Sequence, residues 1–559
     1  MKSLPLFILL LLCFYESSSQ TNDVWQITYL RKNNGKLPPN QDPIIVLTSA
    51  TGTSVSSEKI MKGETKTPFE ISFVDRTDNS LYQIAFFANG KTLMTQDRKA
   101  LAEQKIELLP DTQVILGYTC KKATTVVNSN RIDLWYTDEL KVKGAPSALG
   151  QNLGLVLKMV RNGNSETEAV KIEKNTPWAT KNQLPQPNPP RVDALTYKDE
   201  LWKSRFIQLP VFSHQIINFS DSVHAANEVV RFAHGTVIAK KVKFPSVGAG
   251  SNVFLELSQY SNGDAYDRTG SVFMIPTQRK VSFLDALQKS VKELPIYENG
   301  NGKQYQGVVQ TPDYLPVLEL MRFFTPFGVR QYNYLQLKNK TWADSTYYRQ
   351  DISDLLPAYN GQEVWVAVFI GNYDKGGHKV SLNFSVHPNE RPSAKQQARI
   401  VPLFNTTNVM EMAGQEYGTM FNNDKGLQVT FEVPEGAKNL KLRYITTGHG
   451  GWGNGDEFVP KANTISVDGR QIFTITPWRA DCGSYRLVNP ASGNFNNGLS
   501  SSDLSRSNWC PGTVTNPIWI ELGNLPAGKH TLQVHIPQGL PEGGSFSAWN
   551  VSGALMGEW

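Results

Sequence analysis

The apolar positions of this chain fall into many short runs separated by polar turn residues, a pattern that predicts β-strands. Asn89-Gly90 and Asn162-Gly163 each follow such a run, and Asn-Gly dipeptides favour tight hairpin turns. Amphipathic helices are scarce, and the best candidate is 281–294, with apolar residues at helical spacing. The pattern predicts an all-β protein, whose first third carries strands at 24–30, 81–87, 113–118 and 153–160.

Two breaks in this pattern divide the chain, which at 559 residues is too long for one hydrophobic core. The stretch 175–191 holds five prolines and reads as a stiff, exposed connection. A second break at 387–395 follows strong strands at 363–370 and 379–386. Many short strands on either side of it predict two adjacent β-sandwiches of jelly-roll type, preceded by a β-rich N-terminal domain. The predicted segments are a leader at 1–20, an N-terminal domain at 21–178, a linker at 179–191, and jelly rolls at 192–390 and 396–559.

The first twenty residues have the pattern of a cleaved signal peptide. Lys2 supplies a positive start, 4–14 is an apolar run too short to span a bilayer, and 16–20 is polar with small residues. A buried helix is the alternative, and a lipid anchor at Cys13 is disfavoured by the bulky Leu12 before it. No later segment is apolar enough to cross a membrane, so we expect a soluble protein that is secreted or periplasmic.

Charge and cysteine content narrow the possible partners. A net charge of +6, with mixed signs along the chain, argues against nucleic acid as a partner. Cys120 stands alone, whereas Cys482 and Cys510 lie 28 positions apart, and we expect them to pair in an oxidising compartment. Zinc binding is the alternative, but these two cysteines lack CxxC spacing.

The sequence has no HxH or HExxH motif, no phosphate loop, and no GxSxG in a strand–turn–helix setting. The candidate chemistry is therefore acidic and aromatic. The first cluster (NGDAYDR, 262–268) places Asp264, Tyr266, Asp267 and Arg268 at the mouth of a predicted strand. Its simpler explanation is a turn with an Asp cap and a surface ion pair.

Two further clusters lie in the C-terminal third. The stretch TGHGGWGNGDEF (447–458) combines five glycines with His449, Trp452 and Glu457. Aromatic rings beside carboxylates suit sugar recognition, and the alternative is a flexible Gly-rich loop. The stretch RSNWCPG (506–512) is either part of the same site or a disulfide-stapled turn with a packing Trp.

The three clusters, in this order, resemble the peptide-N-glycosidase F family of bacterial enzymes, which remove N-linked glycans from proteins. That family has two jelly rolls side by side, with its site in the groove between them. Asp267-Arg268 matches the family's Asp-Arg pair before a strand, in which the Asp is the main catalytic residue. Asp264 matches an earlier Asp, and Tyr266 replaces the usual Trp.

The second domain continues the resemblance. The run ITTGHG (445–450) looks like a family segment, with His449 where a Trp is usual, and Glu457 best matches the family's catalytic Glu. The ending Arg-x-x-Trp-Cys-Pro-Gly is reproduced at 506–512, and Cys482 fits the upstream disulfide partner.

The resemblance covers about 195–559. The N-terminal third looks similar to a bowl-shaped domain that some bacterial members carry, and both glycoprotein docking and stabilisation stay open as its role. The cysteines of the family's disulfide loops around the acidic motifs are missing. The family's third acidic residue should fall near 369–372 (FIGN), where no carboxylate stands and Asp374 is an approximate substitute. Because that residue abuts the innermost sugar, its loss suggests tolerance of core α1,3-fucose.

The implied reaction is hydrolysis of the amide between N-acetylglucosamine and Asn in N-glycoproteins and glycopeptides, by a monomer without metal or organic cofactor. Two rivals remain open: an endo-glycosidase with two carboxylates, which leaves one sugar on Asn, and a non-catalytic glycan-binding protein. In the implied site Asp267 is the central carboxylate and Glu457 orients water or the peptide amide. The other implied contacts with substrate are Asp264, Tyr266, Arg268, His449, Trp452, Arg506 and Trp509.

Overall fold

The computed structural model describes residues 23–220, 228–328, 338–389, 398–407, 409, 417–450, 455–490, 500–540 and 547–559. Contacts divide the chain into two compact units, Met1–Arg205 and Phe206–Trp559. Antiparallel strands dominate both units, so the all-β prediction is confirmed. The described part of the chain contains no helix with the length and hydropathy needed to cross a membrane.

The first unit is built on one sheet of eleven antiparallel strands. The strands are β1 (Trp25–Asn33), β2 (Ile44–Thr48), β3 (Gly52–Ser57), β4 (Phe69–Asp75), β5 (Ser80–Phe86), β6 (Thr92–Asp97), β7 (Glu107–Ile115), β8 (Tyr118–Val127), β9 (Asn130–Thr137), β10 (Leu155–Arg161) and β11 (Ser165–Lys174). Their order in the sheet is β6-β5-β4-β3-β2-β1-β11-β10-β9-β8-β7. Strand β1 lies at the centre because it pairs with both β2 and β11, and its Ile27 and Tyr29 are fully buried.

Both predicted Asn-Gly turns close hairpins, between β5 and β6 and between β10 and β11. The predicted continuous strand at 113–118 is wrong, because Leu116 and Gly117 adopt positive φ and form the turn between β7 and β8. Leucine is rarely found in that conformation, so its sequence gave no turn signal.

The Pro-rich stretch is largely exposed, and main-chain hydrogen bonds attach its end to the first unit. The Met94 amide donates to the Pro190 carbonyl, and the Val192 amide donates back to Met94. Helix α1 (Glu58–Lys62) is a single turn, and helix α2 (Ala194–Lys203) buries Tyr197 and Leu201 against the sheet. Because the apolar face of α2 is buried against the sheet, the first unit extends to Arg205, beyond the predicted domain end at 178.

The second unit contains two β-sandwiches, as the jelly-roll prediction required. The first consists of β12 (Ile207–Ile217), β22 (His378–His387), β15 (Asn252–Ser261) and β20 (Thr346–Asp351) facing β13 (Val230–Phe232), β14 (Val237–Lys243), β21 (Glu363–Ile370), β16 (Thr269–Ile275), β19 (Leu318–Phe324) and β28 (Val514–Thr515). Between these sheets lies one continuous core of aliphatic and aromatic side chains. A small ribbon is formed by β17 (Ile296–Tyr297) and β18 (Tyr305–Gln306).

The second sandwich packs its own core between two four-stranded sheets. Its strand β24 (LQVTFEV) alternates apolar with polar residues and, in step, buried with exposed positions, as a strand over a core must. The sheets are β23 (Ala398–Asn405), β31 (Ala548–Glu558), β25 (Lys438–His449) and β29 (Ile518–Glu521), and β24 (Leu427–Val433), β30 (Gly528–His535), β26 (Asn463–Val467) and β27 (Arg470–Ile475).

The predicted helix at 281–294 forms only in part. Helix α3 (Phe283–Gln288) ends at Lys289, and Ser290 then caps a separate 3₁₀ turn. The described 3₁₀ segments are Ala179–Lys181, Ala233–Gly235, Val291–Glu293, Ser353–Ala358, Tyr417–Thr419, Cys482–Val488 and Ser501–Asp503. The second predicted domain break falls largely on 390–397, outside the described residues.

A buried network of charged side chains connects the two sandwiches through hydrogen bonds. Arg322 donates to Glu319 through Nε (3.1 Å) and Nη2 (2.7 Å), and to the Asn550 carbonyl on the second sandwich (2.6 Å). Arg443, also from the second sandwich, donates to the Glu319 carbonyl at 2.7 Å. Burial alone would raise the pKa of Glu319, but the charge of Arg322 outweighs it and lowers that pKa. The carboxylate is therefore ionised and balances buried guanidinium charge between the sandwiches.

Replacing Glu319 with Gln should lower the free energy of unfolding by about 3 kcal/mol, because Arg322 loses its ion-pair partner and the buried Arg443 loses a nearby opposite charge. Urea denaturation of the full chain measures the change. Glu521→Gln is the matched control, since Glu521 pairs with Lys441 at the surface and should contribute less than about 1 kcal/mol. Equal stability of the two variants would contradict a role for the network in joining the sandwiches.

Candidate active site

The acidic turn between β15 and β16 is held by one of its own carboxylates. Asp264 is buried and accepts from Arg268 Nε at 2.7 Å and Nη2 at 3.2 Å, and from the Tyr266 amide at 3.2 Å. Burial alone would raise the pKa of Asp264, but hydrogen bonds from His378 and Arg268 outweigh it and lower the pKa to about 2. An ionised Asp264 thus fixes the turn and aims Arg268.

His378 belongs to this turn, although sequence reasoning missed it. The Gln259 side-chain amide donates to His378 Nδ1 at 3.0 Å, which leaves Nε2 to donate to Asp264 across 3.3 Å. His378 lies 114 positions from Asp264 along the chain, so no local motif connects them. Strand pairing of β22 with β15 brings the two residues together.

Asp267 lies on the same turn and faces Arg506, which the second sandwich supplies. Its side chain is 19% exposed, and Oδ2 lies 3.4 Å from Arg506 Nη1. Burial raises the pKa of Asp267, and the nearby Arg506 charge opposes this rise.

Glu457 brings a second carboxylate to the same guanidinium from the second sandwich. Its side chain is also 19% exposed, and Oε1 accepts from Arg506 Nη1. The Ser507 amide donates to the Glu457 carbonyl at 2.9 Å and fixes the loop to the Arg506 segment. Burial raises the pKa of Glu457 to about 7, with Arg506 lowering it and Asp267 raising it further. This carboxyl therefore changes protonation near neutrality.

Arg506 is the group on which both acids converge. Its side chain is 1% exposed, and Nη2 donates to the Ser501 carbonyl at 2.5 Å. Its guanidinium lies over the Trp509 ring at 4.4 Å and the Phe458 ring at 5.1 Å. Its Nε is buried and has no hydrogen-bond partner among the described residues.

Trp509 is not available for stacking on a sugar as the sequence suggested. It is 3% exposed, with Phe324 stacked on it at 4.2 Å and Arg506 lying over the ring. Its indole N–H donates to the Gly448 carbonyl at 2.9 Å. The residue supports Arg506, and the Cys482–Cys510 disulfide, formed as predicted, anchors the same loop.

The remaining predicted aromatic positions differ in their exposure. Tyr266 is exposed, with Arg268 lying 4.8 Å from its ring centre. His449 bonds Thr447 Oγ1 at 2.8 Å, and burial, with the charges of Arg322 and Arg506, lowers its pKa to about 3. Trp452 lies outside the described residues.

Asp374, the approximate substitute for the third acidic residue, is occupied by its own turn. Its Oδ1 accepts from the amides of Gly376 and Gly377 at 2.7 and 2.8 Å. The Asp264 amide in turn reaches the Gly377 carbonyl at 3.4 Å. Asp374 therefore supports the acidic turn from behind.

Comparison with known proteins accounts for all three parts of the chain. The descriptions "N-glycanase peptide, N-terminal domain", "Peptide-N-glycosidase F, N terminal" and "Peptide-N-glycosidase F, C terminal" match residues 27–199, 208–386 and 416–556. The solved structure of PNGF-II is 55% identical, covers 96% of this chain and 99% of its own, and superposes with a TM-score of 0.85. A second crystal form gives the same identity and TM-score, with 98% of its own chain covered.

PNGase F from Flavobacterium meningosepticum, described as a glycosylasparaginase, is 14% identical over 63% of this chain and 96% of its own, with a TM-score of 0.41. No curated protein matches the chain. The chain belongs to the peptide-N-glycosidase F family and is an amidase of the N-glycanase type.

Proposed function

We propose that this chain hydrolyses the amide between N-acetylglucosamine and Asn in N-linked glycoproteins and glycopeptides. Water adds to the side-chain carbonyl, the C–N bond breaks, the peptide keeps an Asp, and the glycan leaves as a glycosylamine that then loses ammonia. The observation that carries the proposal is the convergence of Asp267 and Glu457, from different sandwiches, on one buried guanidinium.

Each residue of this constellation has a task that its surroundings support. Asp267 is the central carboxylate, hydrogen-bonded to the linkage amide and the attacking water. Glu457 accepts a hydrogen bond from that water and orients it. Arg506 keeps both acids in place and supplies a fixed positive charge beside them.

The rim of the groove supplies the substrate contacts in this proposal. The exposed Tyr266 ring packs on a sugar face, and Arg268, held by Asp264, donates to the glycan or the peptide. His449 is neutral and contributes shape, and Trp452 is retained as a stacking residue from the sequence alone.

Export and assembly belong to the same proposal. The leader-like residues 1–20 would deliver the enzyme outside the cytoplasm, where N-glycoproteins of other organisms are encountered and a disulfide is stable. We also propose that the enzyme acts as a monomer, since both acids and Arg506 come from one chain.

Incubation with an N-glycopeptide should convert the glycosylated Asn to Asp, which mass spectrometry detects as a peptide free of sugar. Asp267→Asn and Glu457→Gln should each slow this release about 100-fold or more, because positioned acids contribute that much to proton transfer and water activation. Asp354→Asn, an exposed carboxyl in the first sandwich, is the control and should leave the rate unchanged. A single residual N-acetylglucosamine would identify an endo-glycosidase, and an unchanged glycopeptide would identify a binding protein.

The rate of release should rise with pH through about 7, because the raised pKa leaves Glu457 protonated below that value and unable to accept the water's hydrogen bond. Rates measured between about pH 5 and 9 give the midpoint. Arg506→Gln should move this midpoint upward in the residual activity, since Arg506 lowers the pKa of Glu457. A rate that falls through pH 7 would assign Glu457 the opposite role of proton donor.

We further propose that the enzyme accepts glycans with core α1,3-fucose, because no carboxylate occupies 369–372 and Asp374 is folded into its turn. Core α1,3-fucosylated and unfucosylated glycopeptides should be released at rates within about tenfold of each other. Gly371→Glu restores a carboxylate in this segment and should slow release of the fucosylated glycopeptide selectively. Complete resistance of the fucosylated glycopeptide in the wild-type enzyme would refute the proposal.

A further inference from the structure

A second concave surface, here named the aromatic cleft, is lined by Tyr347, Trp478, Arg479, Tyr485 and the segment 512–518. Its volume is about 650 Å³, which is within the range of small-ligand sites. Neither Asp267 nor Glu457 lines it. It is connected to the catalytic groove through main chain, because Arg479 and Arg506 exchange amide hydrogen bonds of 2.8 and 2.9 Å.

Two aromatic rings in the cleft are open to a ligand. Tyr347 is 59% exposed, and its hydroxyl is bonded to Glu256, which anchors the ring from one end. Trp478 is half-buried, and its side chain makes no ring, cation–π or hydrogen-bond contact with the described part of the chain. Its indole N–H is therefore also free to donate. An open aromatic face with a polar edge is suited to a pyranose, which has an apolar face and a hydroxyl rim.

The polar side of the cleft is rigid and fixed by Arg479. Its Nε and Nη2 donate to the two carboxylate oxygens of Asp481 at 2.9 and 2.6 Å, and Nη2 also donates to the Tyr485 hydroxyl at 3.0 Å. Nη1 donates to Thr513 Oγ1 at 2.9 Å and to the Val514 carbonyl at 3.2 Å. All three guanidinium nitrogens are thus engaged within the protein.

The charges around the cleft cancel in pairs. Asp481 neutralises Arg479, and Glu256 lies 3.3 Å from Arg349, the other arginine on the cleft wall. An anionic ligand would therefore find no unpaired positive charge in the cleft. The free energy that it loses on leaving water would not be recovered by an ion pair. The electrostatics favour an uncharged ligand that offers hydroxyl groups.

We propose that the aromatic cleft is a second sugar-binding site, which takes neutral hexose residues of the N-glycan distant from the bond that is cleaved. That the bound sugar belongs to the substrate glycan rests on the proposed function. That the cleft binds neutral sugar does not depend on it. Trp478 and Tyr347 supply the ring faces, and the free indole N–H supplies a hydrogen bond.

Calorimetric titration of the full chain with mannotriose tests the site directly. Trp478→Ala should weaken binding about tenfold, the loss expected for one stacking ring, and Tyr347→Ala should act in the same direction. Trp519→Ala is the matched control, because Trp519 is 39% exposed in the same sandwich but outside the cleft. Thermal unfolding of each variant checks that the fold is kept. Unchanged affinity in folded Trp478→Ala and Tyr347→Ala, or tighter binding of mannose 6-phosphate than of mannose, would overturn the proposal.

Kinetics separate this proposal from the proposed function. With a full-length glycan on the peptide, Trp478→Ala should raise KM about tenfold at constant kcat, and with a single N-acetylglucosamine it should change neither constant. Equal effects on the two substrates would contradict a distant subsite. If the wild-type chain releases neither glycan, the amidase proposal fails, and the mannotriose titration still decides whether the cleft binds sugar.

Discussion

The buried positive charge of Arg506 is the constraint on which the candidate site depends. A guanidinium that is 1% exposed needs counter-charge close by, and Asp267 and Glu457 provide it from opposite sandwiches. The same contact keeps two partly buried carboxylates near each other, and burial raises both of their pKa values. One arrangement therefore compensates the buried charge and raises the pKa values of both acids, so that removal of either acid should disturb the other.

This arrangement requires that the sandwiches hold a fixed relation, since a shift of about 1 Å would separate the acids from their shared arginine. Three features supply that rigidity. The Glu319–Arg322–Arg443 network joins the sandwiches through buried hydrogen bonds. The Cys482–Cys510 disulfide anchors the loop that carries Arg506, and Trp509 packs beneath its guanidinium. The candidate site is thus supported by buried residues that lie outside its pair of acids.

The sequence was sufficient to predict the all-β fold and the paired cysteines, because turn residues and local motifs carry that information. The family resemblance singled out Asp267, but the sequence could not predict how the neighbouring Asp264 is used. Asp264 and Asp267 share one turn, yet Asp264 is consumed by Arg268 and His378. Nor could it reveal His378, which strand pairing alone brings to the turn, or that Trp509 would be covered on its ring faces. These outcomes depend on tertiary contacts between distant segments.

The short strand β28 has a consequence for how the protein can be made. Although it belongs to the C-terminal third of the chain, it pairs with β19 of the first sandwich, at Arg322 and Phe323. A chain that stops after β22 would leave the edge of β19 unpaired and would expose Arg322 and Glu319, whose partners arrive later. During synthesis the edge of β19 therefore stays unpaired until most of the second sandwich has been made. The pair is one folding unit with two cores, and a design that recombines its halves with those of other proteins would have to rebuild that edge.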